Sequence, residues 1–452
     1  MKYFTGLYFR CFLYSTLLLA FINSGIYSQS WQTLGTGTSG TVNALTIYGS
    51  DIIAAGSFAV AGGQLVNNIA RWNGTSWQPL GLGTNDTVFA LAVYNSFLVA
   101  AGRFTTAGGV SCNKVAFWNG TSWNTTGGTI NGNVLALTVQ GANLFIGGTF
   151  TVVNGKNTLR VAKWQNAWDT IGRGFNSDVN ALAVYNGSIY AGGNFTVADG
   201  LPANRISYWD GTRWTSAGVG VDDGGVYCMR VFNSQLYIGG TFTAIGGSTT
   251  NRIARWNGTS WSNVNFGFNS GVYSLHSLGS SIYAGGDFDF ADFLPASKIA
   301  VYNGSTWSIL GSGIGGSPAK VKAIGSYLGD IIAGGNFTLA GGQPANNIAN
   351  WKLTTAVEPI SNIIPDKYSL GQNYPNPFNP STKIKFSIPK DGEVFISIYD
   401  SKGSMVNTLL NEHMNSGVYE LTFDASLLPS GVYFYKLSAN DFSETKKMLL
   451  IK

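Results

Sequence analysis

The sequence predicts an all-β protein: a seven-bladed β-propeller followed by a small antiparallel, Ig-like β-sandwich. Three observations carry that expectation. Trp31, Trp77, Trp123, Trp168, Trp214, Trp261 and Trp307 recur every 45 to 47 residues. A second aromatic series, Trp72, Trp118, Trp164, Trp209, Trp256, Tyr302 and Trp351, stands once in each repeat, just before a turn. The composition is poor in charge (11%) and rich in aromatics (13%), with 60 glycines, as suits many short strands joined by tight turns and not a disordered chain.

The chain opens on a secretory signal. Lys2 and Arg10 supply its charge, Phe12 to Ile26 its apolar run, and Ser28 a small residue for cleavage. The apolar run is short of the roughly 20 residues a spanning helix needs. Residues 1–28 are therefore assigned to a leader, 29–353 to the propeller, 354–366 to a linker and 367–452 to a C-terminal domain. Only Cys112 and Cys228 remain in the mature chain, in different repeats, so no disulfide is expected and packing must supply stability.

Each repeat reads as four short strands. In the second they are Val88 to Tyr94, Phe97 to Phe104, Lys114 to Trp118, and Trp123 to Thr125. Asn-Gly pairs such as Asn73-Gly74 and Asn119-Gly120 predict tight hairpins, which set the two aromatic series opposite each other. Gly-Gly-x-Phe recurs in the second strand, as at Phe150, Phe195, Phe242 and Phe337. Glycine there predicts close approach of neighbouring sheets, with the Phe filling the gap. No helix follows these glycines, which argues against a phosphate loop. The chain starts on a fourth strand (Trp31 to Leu34) and the repeats end on a third (Ile348 to Trp351). The first segment is thus expected to complete the last blade and close the ring.

Beyond Pro359 and Pro365 the repeat stops and Trp disappears. Strands are expected at Lys383 to Ile388, Val394 to Tyr399, Val418 to Phe423, Val432 to Leu437 and Lys447 to Ile451. Here the residues resemble the type A sorting domain of the type IX secretion system of Bacteroidota-like bacteria. The resemblance rests on Tyr374, Pro375, Asn376, Pro377, Phe378, Asn379 and Pro380, on Gly431 and Tyr433, and on Lys446, Lys447 and Lys452 at the end. It implies general export, then passage through the outer-membrane translocon, with a sortase-like peptidase removing the tag and the protein either joined to the cell surface or released. The repeats themselves resemble bacterial surface propellers and the cortical polarity-marker proteins of fungi. That likeness implies a fold and no ligand.

Little in the sequence speaks for catalysis. Between Trp31 and Ile360 there are 16 basic and 13 acidic residues, too even a balance for nucleic-acid binding. His276 and His413 are the only histidines, no nucleophile or metal signature accompanies them, and His276 is expected to be a packed strand residue rather than a base. A propeller glycosidase or lyase needs paired carboxylates where the inner strands begin. Asp178 stands at such a start, with Asp222 and Asp223 in the next connection; turn formation is the competing reading. Asp287, Asp289 and Asp292 have a spacing that could hold Ca²⁺, but lack the glycine and distal Glu of a cation loop. Lys114, Arg160, Arg205, Arg252 and Lys298 occupy equivalent positions at the start of third strands, next to the long connections. They form either caps for local carbonyls or a basic ring attracting an acidic surface glycan. The expectation is a monomeric, non-catalytic binding or adhesion module without cofactor, the alternative a carbohydrate-active enzyme.

Overall fold

The computed structural model describes residues 30–352, 357–361, 364–425 and 428–451. The leader, residues 1–28, and Lys452 lie outside the described residues.

Seven four-stranded antiparallel sheets account for residues 30–352. Their innermost strands are Thr41–Tyr48, Val88–Tyr94, Val134–Gln140, Val179–Tyr185, Val226–Phe232, Val272–Leu278 and Lys320–Tyr327. Each touches the next, and the seventh touches the first, so the sheets stand around a common channel. We number the blades one to seven in this order. The outermost strand of blade seven is Ser30–Thr33, paired antiparallel with Ile348–Lys352 so that Trp31 faces Trp351. The start of the described chain thus closes its last blade.

The periodic Trp does more than pair within its blade. Its ring packs on the aromatic across the hairpin, at 5.4 Å between centroids for Trp72 and Trp77. In six of the seven the indole N–H reaches back one repeat, while that of Trp307 is buried without a hydrogen-bond partner among the described residues. Trp77 donates to the Leu34 carbonyl at 2.8 Å, Trp123 to Leu80 at 2.8 Å, Trp214 to Ile171 at 2.9 Å and Trp31 to Leu310 at 2.9 Å. The Trp period is therefore a tie between successive repeats, and Trp31 makes the tie that crosses the ring closure. On the opposite side Tyr48, Tyr94 and Tyr185 donate to carbonyls in the next blade's first hairpin, at 2.9–3.1 Å.

The paired glycines do what the sequence implied. A Cβ on Gly192 would sit 2.6 Å from Val226 Cγ1 of the next blade, and one on Gly147 equally close to Val179. The second glycine of each pair faces the bulge in its own inner strand: a Cβ on Gly193 would lie 2.0 Å from the Asp178 carbonyl oxygen. Phe150, Phe195, Phe242 and Phe337 are completely buried. Cys112 and Cys228 are buried and free.

Three expectations need correction. The four-strand reading of each repeat leaves out secondary structure in the long connections between second and third strands. Each carries a two-stranded hairpin, such as Thr106–Ala107 with Val110–Ser111, and a bridge joins it to the preceding inter-blade connection, as Thr84 to Ala107. Regular backbone pairing replaces the conformational freedom that a loop of this length would keep. Second, the linker assigned to 354–366 contains a strand, Val357–Ser361, paired with Gly417–Asp424 of the C-terminal domain. It occupies a sheet edge and its register shifts between Pro359 and Ser361, the setting in which a sheet tolerates proline. Third, the C-terminal sandwich has two strands beyond those expected, Ser369–Leu370 and Met405–Met414. Its two four-stranded sheets enclose Ile384, Phe386, Ile396, Ile398, Leu421, Tyr435, Leu437 and Met448.

Candidate functional site

The five cations at third-strand starts are all in the left-handed backbone region, with φ between 63° and 78°. Asn68 and Asn347 hold the same place and conformation in blades one and seven. Such a backbone is costly for a residue with a side chain, and local hydrogen bonds offset it. Lys114 Nζ donates to the Arg103 carbonyl at 2.7 Å, Arg160 Nη1 to Thr149 at 2.9 Å and Arg252 Nη1 to Thr241 at 3.1 Å. Arg205 reaches the Gly224 carbonyl at 2.8 Å and Val221 at 2.9 Å; Lys298 Nζ bonds Asp289 and the Asp287 carbonyl. Of the two readings, capping is what the geometry displays. The ring's charge lies half-buried at the mouth of each connection.

The carboxylates are similarly engaged. Asp178 lies 3.7 Å from Arg160. Asp222 accepts the Gly246 and Gly247 amides. Asp223 accepts the Thr243 amide and hydroxyl; burial alone would raise its pKa, but these bonds win and hold it below the usual range. The suggested cation set does not assemble. Asp287 pairs with Lys320 at 3.2 Å, Asp289 with Lys298, and Asp292 caps the Phe266 amide at 2.9 Å. No group of three potential ligands converges among the described residues. The Asp spacing is a product of three separate structural jobs, which ligand-spacing arguments cannot distinguish from a site.

On that same face stands a feature the sequence reading passed over. Phe266 and Phe293, 64% and 76% exposed, contact each other with ring centroids 4.8 Å apart. Phe293 occupies a place held by glycine in the other repeats, so this pair is unique to blade six.

The channel itself carries a second group. Arg230 and His276 take equivalent places on the inner strands of blades five and six, where the other blades have Thr46, Ala92, Thr138, Ala183 and Gly325. Arg230 Nε donates to Ser277 Oγ at 2.9 Å, and His276 Nε2 lies 3.0 Å from Ser326 Oγ. Burial, helped by the Arg230 charge, pushes the His276 imidazole down to about 4, so it is neutral at pH 7. His276 was expected to be a packed strand residue, and it is one. Arg230 was missed.

In the C-terminal domain the motif around Tyr374 forms a staple for the final strand. Asn373, nearly inaccessible, donates its backbone amide to the Tyr435 hydroxyl oxygen and its side-chain amide to the Pro375 carbonyl and Thr382 hydroxyl. Asn376 Oδ1 accepts the Leu449 amide at 2.9 Å. The Phe378 amide donates to Leu449, its carbonyl accepts from Ile451, and its ring is buried. Tyr435, pushed up to about 12 by burial, donates in turn to Gly371. Pro377, Asn379 and Pro380 complete the same turn; Ala425 donates to the Pro380 carbonyl. Tyr433 donates to Pro429 just before Gly431. Lys446 pairs with Glu444 at 3.0 Å, while the Lys447 carbonyl receives Gln372 and its side chain is exposed. Motif and chain end are thus one unit, with the Tyr374 ring left 79% exposed.

Comparison with known families agrees with this division. Residues 372–452 match the secretion system C-terminal sorting domain. Residues 65–172 match the Rax2 C-terminal beta propeller domain, and residues 233–258 a beta-propeller domain of unknown function. No curated protein matches the chain. The fold and tail define a secreted propeller protein of the all-β class. More particularly, it is a propeller sorted by the type IX secretion machinery.

Proposed function

We propose that the protein is displayed on the outer face of the outer membrane as a non-catalytic binding and adhesion module. In this reading residues 1–28 direct general export, the translocon takes up the C-terminal domain, and a sortase-like peptidase cuts in the segment before it. The sorting-domain match over 372–452 carries the export half of the reading. The binding half is supported by the face that holds the long connections. There the exposed Phe266–Phe293 pair offers a flat apolar surface of the kind on which sugar rings stack, and the cation ring lends it positive potential. An acidic surface glycan suits both; nucleic acid does not figure. Engagement of Asp178, Asp222 and Asp223 as pair and caps speaks for binding and against a glycosidase or lyase.

Two experiments test it. Removing residues 357–452, the tail together with its edge strand, should trap the propeller inside the cell envelope; its appearance at the surface would refute the export reading. A glycan array probed with the chain should show retained acidic glycans, and D178N and D223N should leave polysaccharides as uncut as the parent does. Polysaccharide release by the parent that these substitutions abolish would make it an enzyme.

A further inference from the structure

A cavity of about 240 Å³ opens in the channel where blades five, six, seven and one meet. Arg230, His276, Ser326 and Thr46 give it a polar wall, and Leu275 and Ile324 an apolar one. It lies toward the ends of the inner strands, on the side of the tight hairpins. That is opposite the face bearing the cation ring.

The guanidinium is the unusual element. Arg230 is half-buried, and an arginine keeps its charge in such a place. Removing it from water without an anion is expensive, and proteins ordinarily place a carboxylate beside it. Among the described residues Arg230 has no ion pair, and burial depresses its pKa with no acid to oppose that. Its Nε is fixed by Ser277, while Nη1 and Nη2 bond no described residue. A fork held at one nitrogen and open at the other two is poised to take both oxygens of a planar carboxylate.

We propose that this cavity binds a small carboxylate, gripped by the Arg230 fork with His276 and the Ser326 hydroxyl beside it. The proposal rests on reading the propeller as a binding module and supplies it with a specific acceptor. The volume is below that of a drug-sized pocket, roughly 300–1,000 Å³. It therefore admits a short organic acid or a single terminal uronate of a surface polysaccharide. Both present the same group to Arg230.

Calorimetric titration of the full chain with succinate, glucuronate and neutral glucose tests it. Binding of glucuronate or succinate is expected, with glucose at least about tenfold weaker. Preference between the two acids identifies the source, sugar or free acid. R230Q should weaken carboxylate binding about tenfold or more. R230K keeps the charge and should fold in any case; losing the fork, it should still bind several-fold more weakly. The site is overturned if R230K binds as the parent does, if glucose equals glucuronate, or if neither acid binds. If the array still retains acidic glycans in that case, the module reading survives and only the channel site falls.

Discussion

His276 Nε2 and Ser326 Oγ meet at 3.0 Å across the gap between blades six and seven. Arg230 and Ser277 repeat the relation one blade earlier. The imidazole is thus tied to a neutral hydroxyl and faces a permanent cation. Burial first, and Arg230 second, hold its folded pKa at about 4, below the unfolded 6.5. Between those values the unfolded chain holds a proton that the folded chain refuses. Stability from this group is complete above pH 6.5 and falls as pH drops toward 4, by about 3 kcal/mol over the window. Melting curves between pH 7 and 4.5 should show H276Q losing less stability on acidification than the parent. Parallel losses would mean that His276 is not held neutral.

Closure of the ring depends on Ser30–Thr33, which pairs with Ile348–Lys352 and sends the Trp31 indole N–H to Leu310. Deleting 30–35 exposes the Ile348–Lys352 edge and strips a buried aromatic from the seventh blade. The melting temperature should drop sharply. W77F isolates the inter-repeat tie. It keeps an aromatic ring but removes the donor to Leu34, whose carbonyl then keeps only the Gly37 amide, at a cost of about 0.5–1.5 kcal/mol. Denaturant midpoints measure it; a W77F midpoint equal to the parent's would show that the tie adds nothing to packing.

Blade spacing is set by glycine. A methyl on Gly192 would meet Val226 Cγ1 at 2.6 Å, so G192A should destabilise by roughly 1–3 kcal/mol. Blades one and two already carry Ala55 and Ala101 at this place, so the two sheets can part enough for one methyl. G192V should therefore cost clearly more than G192A, as read from thermal unfolding. Equal effects would show that Val226 yields freely.

The blades were legible because a repeated error-free signal, one Trp every 45 to 47 residues, overrides the ambiguity of any single short strand. What escaped were departures that occur once. Arg230 sits in Val226–Phe232, a strand otherwise like its six counterparts, and nothing local marks its position as facing the channel. Met405–Met414 mixes polar and apolar residues without alternation, and Val357–Ser361 contains a proline, so neither reads as a strand. The cation ring was visible as a set of equivalent positions. Its capping geometry was not, because the positive φ that directs each side chain back to its connection is a property of the folded backbone.

In the C-terminal domain the sequence motif mixes two kinds of residue, and substitution separates them. Phe378 is buried and its backbone holds both Leu449 and Ile451, so F378A should cost about 3–5 kcal/mol and loosen the chain end. Tyr374 shares the motif but presents its ring to solvent, 79% exposed. Y374A should leave the melting curve of the domain within about 0.5 kcal/mol of the parent. If the translocon reads the motif's surface, Y374A should nonetheless reduce the amount of protein reaching the cell surface, while F378A reduces it only in proportion to lost folding. Normal export of Y374A, measured by cell fractionation beside the melting curve, would place recognition elsewhere on the sandwich and leave the motif a purely structural staple.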